Sequence, residues 1–195
     1  MAQVVSLPKP RTDGPVALEA ALAKRRSVRS FKDVQLEPAQ VSQLLWAGQG
    51  ITSDEGLRAA PSAGARYPIE LYAVLPDGVF CYHPATHSMS EVLDRDVRRD
   101  LCEAALQQES VLEAPLTLVF AVAKTRTQSR YGKARGERYV HMDVGHAAEN
   151  VLLQAVSLGL GAVPIGAFED QRVHEVLGLP TDQEALYMIP VGQAA

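Results

Sequence analysis

The spacing of apolar residues along the chain separates the predicted strands from the predicted helices. The segment IELYAVL (69–75) is rich in β-branched and aromatic residues, which predicts a strand. A Pro-Asp-Gly turn at 76–78 and the segment VFCYH (79–83) complete a predicted β-hairpin. The segment LTLVFAVA (116–123) is apolar almost throughout, which predicts a central strand, and ALYMIPV (185–191) predicts the last strand.

Helices are predicted where apolar residues recur every three or four positions and where the ends carry suitable boundary residues. The longest one ends at Gly159, a residue type that favours a helix C-terminus. Pro15 and Pro38 each begin a predicted helix, since proline is tolerated in a first turn. The predicted helices span about 15–26, 38–48, 95–108, 139–158 and 170–177.

Polar and glycine-containing stretches separate these elements. Residues 1–14 are predicted to form an arm leading into the domain, and the polar, basic residues 124–138 a mobile loop or lid. Residues 51–67 are predicted to form a loop, and residues 160–168 a loop or short strand. The order of elements predicts an α+β fold, with a small, mostly antiparallel central sheet flanked by helices, in a single domain over residues 15–195.

Composition and charge restrict the class of protein. With 195 residues, a hydrophobic fraction of 47% and a net charge of −4, the chain is predicted to be globular, with no general attraction to nucleic acid or anionic lipid. No apolar run approaches the roughly 20 residues of a membrane-spanning helix, and the N-terminus lacks a signal-peptide pattern. Two cysteines without CxxC spacing predict neither a disulfide framework nor a zinc ribbon. We therefore expect a cytoplasmic protein with no nucleic-acid or membrane partner.

Three clusters of residues carry the candidate chemistry. The first, RRSVRSF (25–31), offers guanidinium and hydroxyl donors suited to a phosphate, although a solvated basic turn has the same residues. The second, PSAGARYP (61–68), has small residues that let a flat ligand approach the backbone, although an ordinary tight loop has the same composition. The third, GLGAVPIGAF (159–168), places three glycines after a predicted helix.

Several other arrangements are not supported. The glycines at 159–168 follow a helix instead of joining a strand to a helix, so they do not form a dinucleotide-binding fingerprint. His141 and His146 are five residues apart, hence on different faces of a helix, and no acidic or cysteine partner completes a ligand set. We therefore predict no metal site. Ser62 has no partner base evident in the sequence, so a hydrolase triad is not predicted.

The three clusters in this order, together with LYMIPVG (186–192), resemble the FMN-dependent nitroreductase family. The similarity extends over 61–72 and 130–168 and covers most of the chain from residue 18 onward; it is greatest to the SagB-type, azoline dehydrogenase-like branch. The resemblance implies a nitroreductase-like α+β fold and an obligate homodimer, with two FMN molecules at the interface contacted by both chains. The long helix at 139–158, with its stripe of glycine and alanine, is the expected dimer surface.

Matched position by position, the resemblance assigns the cofactor contacts. Arg25 and Ser27 match positions that hold the FMN phosphate and ribityl chain, and Arg29 matches the cation near flavin N1 and O2. The loop that approaches the flavin from the other subunit is matched by Pro61, Ser62, Ala63 and Gly64. The loop whose backbone N–H groups face flavin N5 and O4 is matched by Pro164, Ile165, Gly166 and Ala167. The flavin carries the reaction, so no catalytic side chain is predicted.

The sequence departs from the family pattern at three places. Ala65 stands where many members have an Asn that contacts the flavin, and the chain stops at residue 195, where many members continue to a Lys or Arg near the phosphate. The phosphate charge is then expected to be met by Arg25, Arg26 or another arginine. Arg130-Tyr131 is the nearest match to a Lys-Tyr pair that azoline dehydrogenases use in deprotonation, and arginine is a poor general base.

The expected activity is that of an FMN-dependent oxidoreductase. It would take hydride from NADH or NADPH and reduce a small electrophile of the nitroaromatic or quinone type by a ping-pong mechanism. One alternative is a SagB-type azoline dehydrogenase acting on a ribosomal peptide. Others are a flavin-binding or storage protein with little turnover and, last, a nonenzymatic structural domain.

Overall fold

One seven-stranded sheet organises the computed structural model, which describes residues 3–195. The strands are β1 (Val4–Ser6), β2 (Ile69–Leu75), β3 (Gly78–His83), β4 (Ser88–Leu93), β5 (Leu116–Val122), β6 (Gly161–Ala162) and β7 (Glu184–Gly192). They lie side by side in the order β1-β4-β3-β2-β5-β7-β6, and each neighbouring pair is antiparallel. The predicted α+β fold with a mostly antiparallel sheet is confirmed.

Helices cover both faces of the sheet. They are α1 (Leu18–Lys24), α2 (Pro38–Gln49), α3 (Arg98–Ala104), α4 (Glu109–Glu113), α5 (Thr125–Tyr131), α6 (Lys133–Ser157) and α7 (Asp170–Leu177). Helices α2 and α6 pack on one face, and α3, α4 and α7 on the other. None of the helices between residues 3 and 195 has the length and apolar character that crossing a membrane requires.

Strand β5 lies between β2 and β7 and is buried on both faces. Leu118 and Phe120 belong to the core beneath α2 and α6, whereas Val119 and Ala121 belong to the core beneath α3 and α7. Because neither face meets water, apolar residues occupy nearly every position. The prediction of a central strand at this segment is confirmed.

Helices α2 and α7 agree with the prediction at their proline and glycine boundaries. By contrast, α1 begins at Leu18 and not at the predicted Pro15, and α6 begins at Lys133, well before the predicted start at 139. Helix α2 begins at Pro38, and its capping box pairs Glu37 with Gln40. Helix α7 ends at Gly178, whose φ of 62° is the left-handed conformation of a helix C-cap. The predicted hairpin forms between β2 and β3 with a tight turn at 76–78.

Residues 124–138 are helical, so the prediction of a mobile loop is wrong. Helix α5 and the first turn and a half of α6 occupy this range, joined at Gly132, whose φ of +75° turns the chain between them. A methyl group at the buried Gly136 would lie 2.8 Å from Gln128, so this glycine lets the two helices pack closely. The glycines that suggested a loop thus serve one turn and one close helix contact.

Two strands and one helix break are absent from the prediction. Strand β1 lies within the predicted arm and pairs with β4, whose SMSEVL sequence is only partly buried and lacks a clear alternation. The single helix expected at 95–108 is instead α3 followed by α4. Leu106 and Gln107 both have φ of 58°, a conformation that ends a right-handed helix.

Helix α6 buries its stripe of small residues within its own chain. Ala147, Ala148 and Ala155 lie in the core between α6 and the sheet, so they cannot form a surface for a second subunit. This part of the dimer prediction is therefore wrong. The exposed side of α6 carries Gly145 and Met142 instead.

Candidate functional site

The first and third clusters lie side by side. Residues 25–29 form the loop after α1, and Ser27 makes a parallel bridge with Ala162 of β6. The Val28 N–H donates to the Ala162 carbonyl at 3.0 Å. A methyl group at Gly161 would lie 2.7 Å from the Val28 side chain, so the glycine allows the two segments to approach. The fold thus joins two clusters that are far apart in the sequence.

The polar side chains of this loop differ in how far they are already engaged. Arg26 donates from its guanidinium to two backbone carbonyls of its own segment, at 3.1 and 2.6 Å, and so braces the loop. Arg25 is half-buried, with Nε 3.9 Å from the Glu149 carboxylate of α6. Ser27 and Arg29 are exposed, and neither side chain has a hydrogen-bond or ion-pair partner among residues 3–195. These donors are available to an anion.

A cavity of about 220 Å³ opens beside the loop. Its lining combines Arg25 and Arg26 with Leu152 and Val156 of α6 and with the β6 backbone at 161–162. A cationic rim over an apolar floor suits a ligand that has an anionic end and an apolar body.

The loop at 164–167 presents free backbone donors. Ile165 is tied to β7 through hydrogen bonds of 2.8 and 3.0 Å with the Met188 backbone. Gly166 and Ala167 are exposed, and their N–H groups have no acceptor in the described part of the chain. The Ala167 carbonyl accepts from the Gln108 side chain at 2.9 Å, which fixes the end of the loop. Two positioned N–H groups are therefore free to bind acceptor atoms of a ligand.

The second cluster is held by a buried carboxylate that the sequence analysis missed. Asp143 of α6 accepts hydrogen bonds from the Ser62 hydroxyl at 2.7 Å and from the Ala63 N–H at 3.3 Å. The Ser62 oxygen in turn accepts from the Tyr67 N–H at 2.9 Å. This chain of bonds connects both ends of the turn at 62–67 to α6.

Burial dominates the electrostatics of Asp143, which is 3% exposed. Burial raises the pKa of this carboxyl, and the hydrogen bonds from Ser62 and Ala63 oppose that rise. No histidine among residues 3–195 hydrogen-bonds to Ser62, so the pair positions backbone and does not form a triad. An acidic residue directly before Val144, on the predicted apolar face, was the available sequence signal.

The turn adopts backbone conformations that need such support. Gly64, Ala65 and Tyr67 have φ of 60°, 52° and 45°. Residues other than glycine rarely adopt positive φ, and they keep it only where the surroundings fix it. Pro61, Gly64 and Ala65 are exposed, so the rigid turn presents a small-residue surface to a ligand or a second chain.

Within one chain, the second cluster does not meet the first. Asp143 anchors the loop at 61–65 to α6, whereas Arg25 faces Glu149 of the same helix. These two α6 residues are separated by about 9 Å along the axis and about 120° around it. The two clusters therefore approach different sides of α6.

A basic corner, formed by Arg130, Tyr131 and Tyr139, lies against the second cluster. A methyl group at Gly64 would lie 2.5 Å from the Tyr131 hydroxyl and 3.3 Å from Arg130 Nε. The Arg130 guanidinium is 5.6 Å from the centre of the Tyr131 ring, and the Tyr131 and Tyr139 rings meet edge-on at 5.0 Å. The absence of a side chain at Gly64 thus leaves room for the corner.

The donor set fits FMN in chemical character. Guanidinium and hydroxyl donors without other partners suit a phosphate, and the free N–H groups of 166–167 suit acceptor atoms at a ring edge. Between residues 3 and 195, no three His, Cys, Asp or Glu side chains form a group that could hold a metal ion.

Comparison with known proteins places these features in one family. A family model described as the nitroreductase family matches residues 22–193, which include all three clusters. A candidate nitroreductase of Methanocaldococcus jannaschii is 43% identical over 184 residues, covering 91% of each chain. The crystal structure of a candidate nitroreductase of Ralstonia eutropha superposes with a TM-score of 0.88 at 32% identity, over 98% of this chain and 90% of that one.

A more distant relative carries a named activity. An NADPH-dependent oxidoreductase of Staphylococcus aureus is 25% identical over 88% of this chain, which spans 62% of the relative's length. Sequence match, fold and the placement of the clusters agree, and the chain belongs to the nitroreductase family.

Proposed function

We propose that this protein is an FMN-dependent oxidoreductase that takes hydride from NADH or NADPH and reduces a small electrophile of the nitroaromatic or quinone type. The observation that carries the proposal is a set of free donors on two joined segments. Ser27 and Arg29 lie on the loop that bridges to Ala162, and the free backbone N–H groups of 166–167 follow Ala162 along the chain. As a member of the nitroreductase family, the protein is an NAD(P)H-dependent oxidoreductase. The electrophile and the ping-pong order of events belong to the proposal.

Each group at the site has a distinct role in this proposal. Arg25 and Ser27 bind the phosphate and ribityl chain, while Arg26 holds the loop in shape. Arg29 supplies positive charge at the ring edge where charge accumulates on reduction. The N–H groups of Gly166 and Ala167 orient the ring. When bound, FMN supplies the hydride chemistry, so the protein contributes binding, orientation and electrostatics.

Anaerobic mixing tests this function. Protein loaded with FMN should lose its flavin absorbance on addition of NADH or NADPH, and a nitroaromatic or quinone should restore it. A single pocket used in turn by donor and acceptor gives parallel lines in double-reciprocal plots. Intersecting lines, with both substrates needed before any loss of absorbance, would contradict the one-pocket mechanism.

A SagB-type azoline dehydrogenase is the second candidate, because Arg130-Tyr131 lies against the loop at Gly64. That reaction removes hydride and a proton from a peptide ring and needs a base, which a protonated guanidinium does not provide. Flavin reduction by an azoline peptide, with no reduction by either nicotinamide, would favour this candidate over the reductase. In a flavin storage protein, neither the azoline peptide nor the nicotinamides would reduce the flavin rapidly.

Arg25→Ala should weaken FMN binding by about tenfold to a hundredfold. The substitution removes a charge-assisted contact to the phosphate, and such contacts contribute about 1.5–3 kcal/mol. Flavin fluorescence titration of the apoprotein measures the change. Arg95→Ala is the matched control, because Arg95 is an exposed arginine paired with Asp100 at 3.0 Å, outside the clusters. An unchanged affinity in Arg25→Ala would contradict the phosphate assignment.

The proposed site is completed by a second chain, which brings the loop at 61–64 to the flavin. Light scattering of the FMN-loaded protein should therefore give twice the chain mass of 21.1 kDa. Leu18 of α1, a helix that packs along α6, is 61% exposed and is a candidate interface residue. Leu18→Asp should shift the mass toward that of one chain. Leu106→Asp, at a leucine that is 56% exposed beyond α3, should leave it unchanged.

A scattering mass of one chain for the unmodified protein would contradict the dimer. Equal shifts in both variants would contradict the choice of surface, because Leu106 lies on the other side of the sheet from α6.

A further inference from the structure

The basic corner is part of a surface with unbalanced positive charge. Four cationic side chains of the segment 130–138 are exposed, and none has an ion-pair partner among residues 3–195: Arg130, Lys133, Arg135 and Arg138. The one acidic residue of the segment, Glu137, is already bound by Lys124 at 2.7 Å. The segment therefore carries a positive charge that no neighbouring carboxylate neutralises.

Within the described part of the chain, the four exposed cationic side chains make no ion pairs that would explain them by the stability of the fold. Arg126, one turn before Arg130, pairs with Glu70 and donates to the Tyr67 carbonyl at 3.1 Å, so it holds α5 to the sheet and to the second cluster. Arg130 has no hydrogen-bond or ion-pair partner among residues 3–195, and its guanidinium lies 5.6 Å from the centre of the Tyr131 ring. Like charges three residues apart on a helix, as at 135 and 138, repel each other. An anionic ligand would remove that repulsion.

We propose that Arg130 binds an anionic group carried by an aromatic substrate of this enzyme, with Tyr131 and Tyr139 as the adjacent aromatic surface. The inference rests on the proposed function, because placement of the Gly64 loop at the flavin puts the basic corner at the reaction site. A guanidinium fork binds carboxylate or phosphate, and tyrosine rings pack against planar ligands. Arg130 thus selects charged substrates over neutral ones of the same shape.

Two substrates of the proposed reaction can present this chemistry. The electron acceptor can carry a carboxylate on its ring, or the hydride donor can present the 2′-phosphate that distinguishes NADPH from NADH. The test therefore uses two pairs that differ in charge: 4-nitrobenzoate against 4-nitrobenzamide, and NADPH against NADH. The FMN-loaded protein should prefer the charged member of at least one pair by about tenfold or more in kcat/KM.

The variant Arg130→Gln should remove most of that preference, and Arg130→Lys should retain part of it, because lysine keeps the charge and loses the fork. The matched control is Arg99→Gln, which removes one exposed positive charge from α3 on the other side of the sheet. FMN titration of each variant shows whether the cofactor still binds. The preference should also decrease as salt is raised from 20 to 500 mM, because the Debye length shortens from about 20 Å to about 4 Å.

The two compound pairs show which substrate carries the anionic group that Arg130 binds. A preference confined to the nitro compounds assigns a carboxylate of the acceptor, and one confined to the nicotinamides assigns the 2′-phosphate. No preference in either pair, or a preference that survives in Arg130→Gln, overturns the inference. An equal loss of preference in Arg99→Gln also overturns the inference, since the overall positive potential of the protein would then explain the selectivity.

Equilibrium titration of the FMN-loaded protein with the same four compounds separates this inference from the proposed function. The protein could bind the charged compounds more tightly and yet keep its flavin absorbance when either nicotinamide is added. That result would support the role of Arg130 and contradict the reductase. Rapid reduction by both nicotinamides, with no charge preference in either pair, would retain the reductase and reject the role of Arg130.

Discussion

Gly166→Val is expected to slow reduction of bound FMN by NAD(P)H about a hundredfold, with a much smaller effect on FMN affinity. The glycine is exposed, and its N–H is one of the two free donors proposed to orient the ring. A branched side chain there would crowd the ring and shift the donor, and misplacement of about 1 Å can lower a rate on the order of a hundredfold. The proposed phosphate contacts lie at 25–29, which the substitution does not touch.

The fold itself accommodates this substitution, so a slower reduction rate would reflect a changed contact with FMN. A methyl group at Gly166 would lie 3.6 Å from the Tyr187 ring, an ordinary contact, and the φ of Gly166 is not in the left-handed region. Gly14→Val is the matched control, because a methyl group there would also lie 3.6 Å from its nearest neighbour, Ser157. Stopped-flow absorbance gives the rate and titration gives the affinity. Equal reduction rates in the two variants would contradict the role of the 166–167 donors.

The sequence predicts those elements whose pattern arises within the element itself. Strand β5 is buried on both faces and α2 carries its own proline and capping box, so local residues determine both. Strand β4 shows the contrary case. Its SMSEVL sequence has little intrinsic pattern, and it forms because β3 and β1 lie on either side of it.

Glycine at 136 and the break after α3 misled the prediction for a related reason. A glycine that permits close packing of two helices has the same sequence signature as one that ends a helix. The break at Leu106 and Gln107 depends on positive φ at residues that seldom adopt it, so no residue type announces it.

Some features of the candidate site are likewise evident in the sequence, and others arise only from the fold. Ser27 and Arg29 stand out in the sequence as clustered donors, and the structure leaves both free. The bridge between Ser27 and Ala162, and the support of Ser62 by Asp143, depend on how distant segments meet. A family resemblance supplies positions that contact a ligand, but the residues that hold those positions in place emerge only from the fold.

Asp143→Ala is expected to lower the free energy of unfolding by about 2–3 kcal/mol and to reduce turnover. The substitution leaves the Ser62 hydroxyl and the Ala63 N–H without their acceptor, and a partly buried donor left unpaired costs about 1–3 kcal/mol. The turn at 62–67 then loses the support for its positive φ values. Denaturant unfolding measures the first effect and steady-state kinetics the second. Asp182→Ala, at an exposed acidic residue, is the control and should change neither.

Asp143→Asn distinguishes the hydrogen bonds from the charge. The amide oxygen can still accept from one donor, so the variant should be closer in stability to the unmodified protein than Asp143→Ala is. Burial raises the pKa of Asp143, so the folded state takes up a proton at higher pH than the unfolded chain. The unmodified protein should therefore gain stability relative to Asp143→Asn as pH falls through the raised pKa, and lose it again as pH rises. A stability difference that is the same at pH 4 and pH 7 would contradict the raised pKa and show that Asp143 stays ionised while it accepts hydrogen bonds from Ser62 and Ala63.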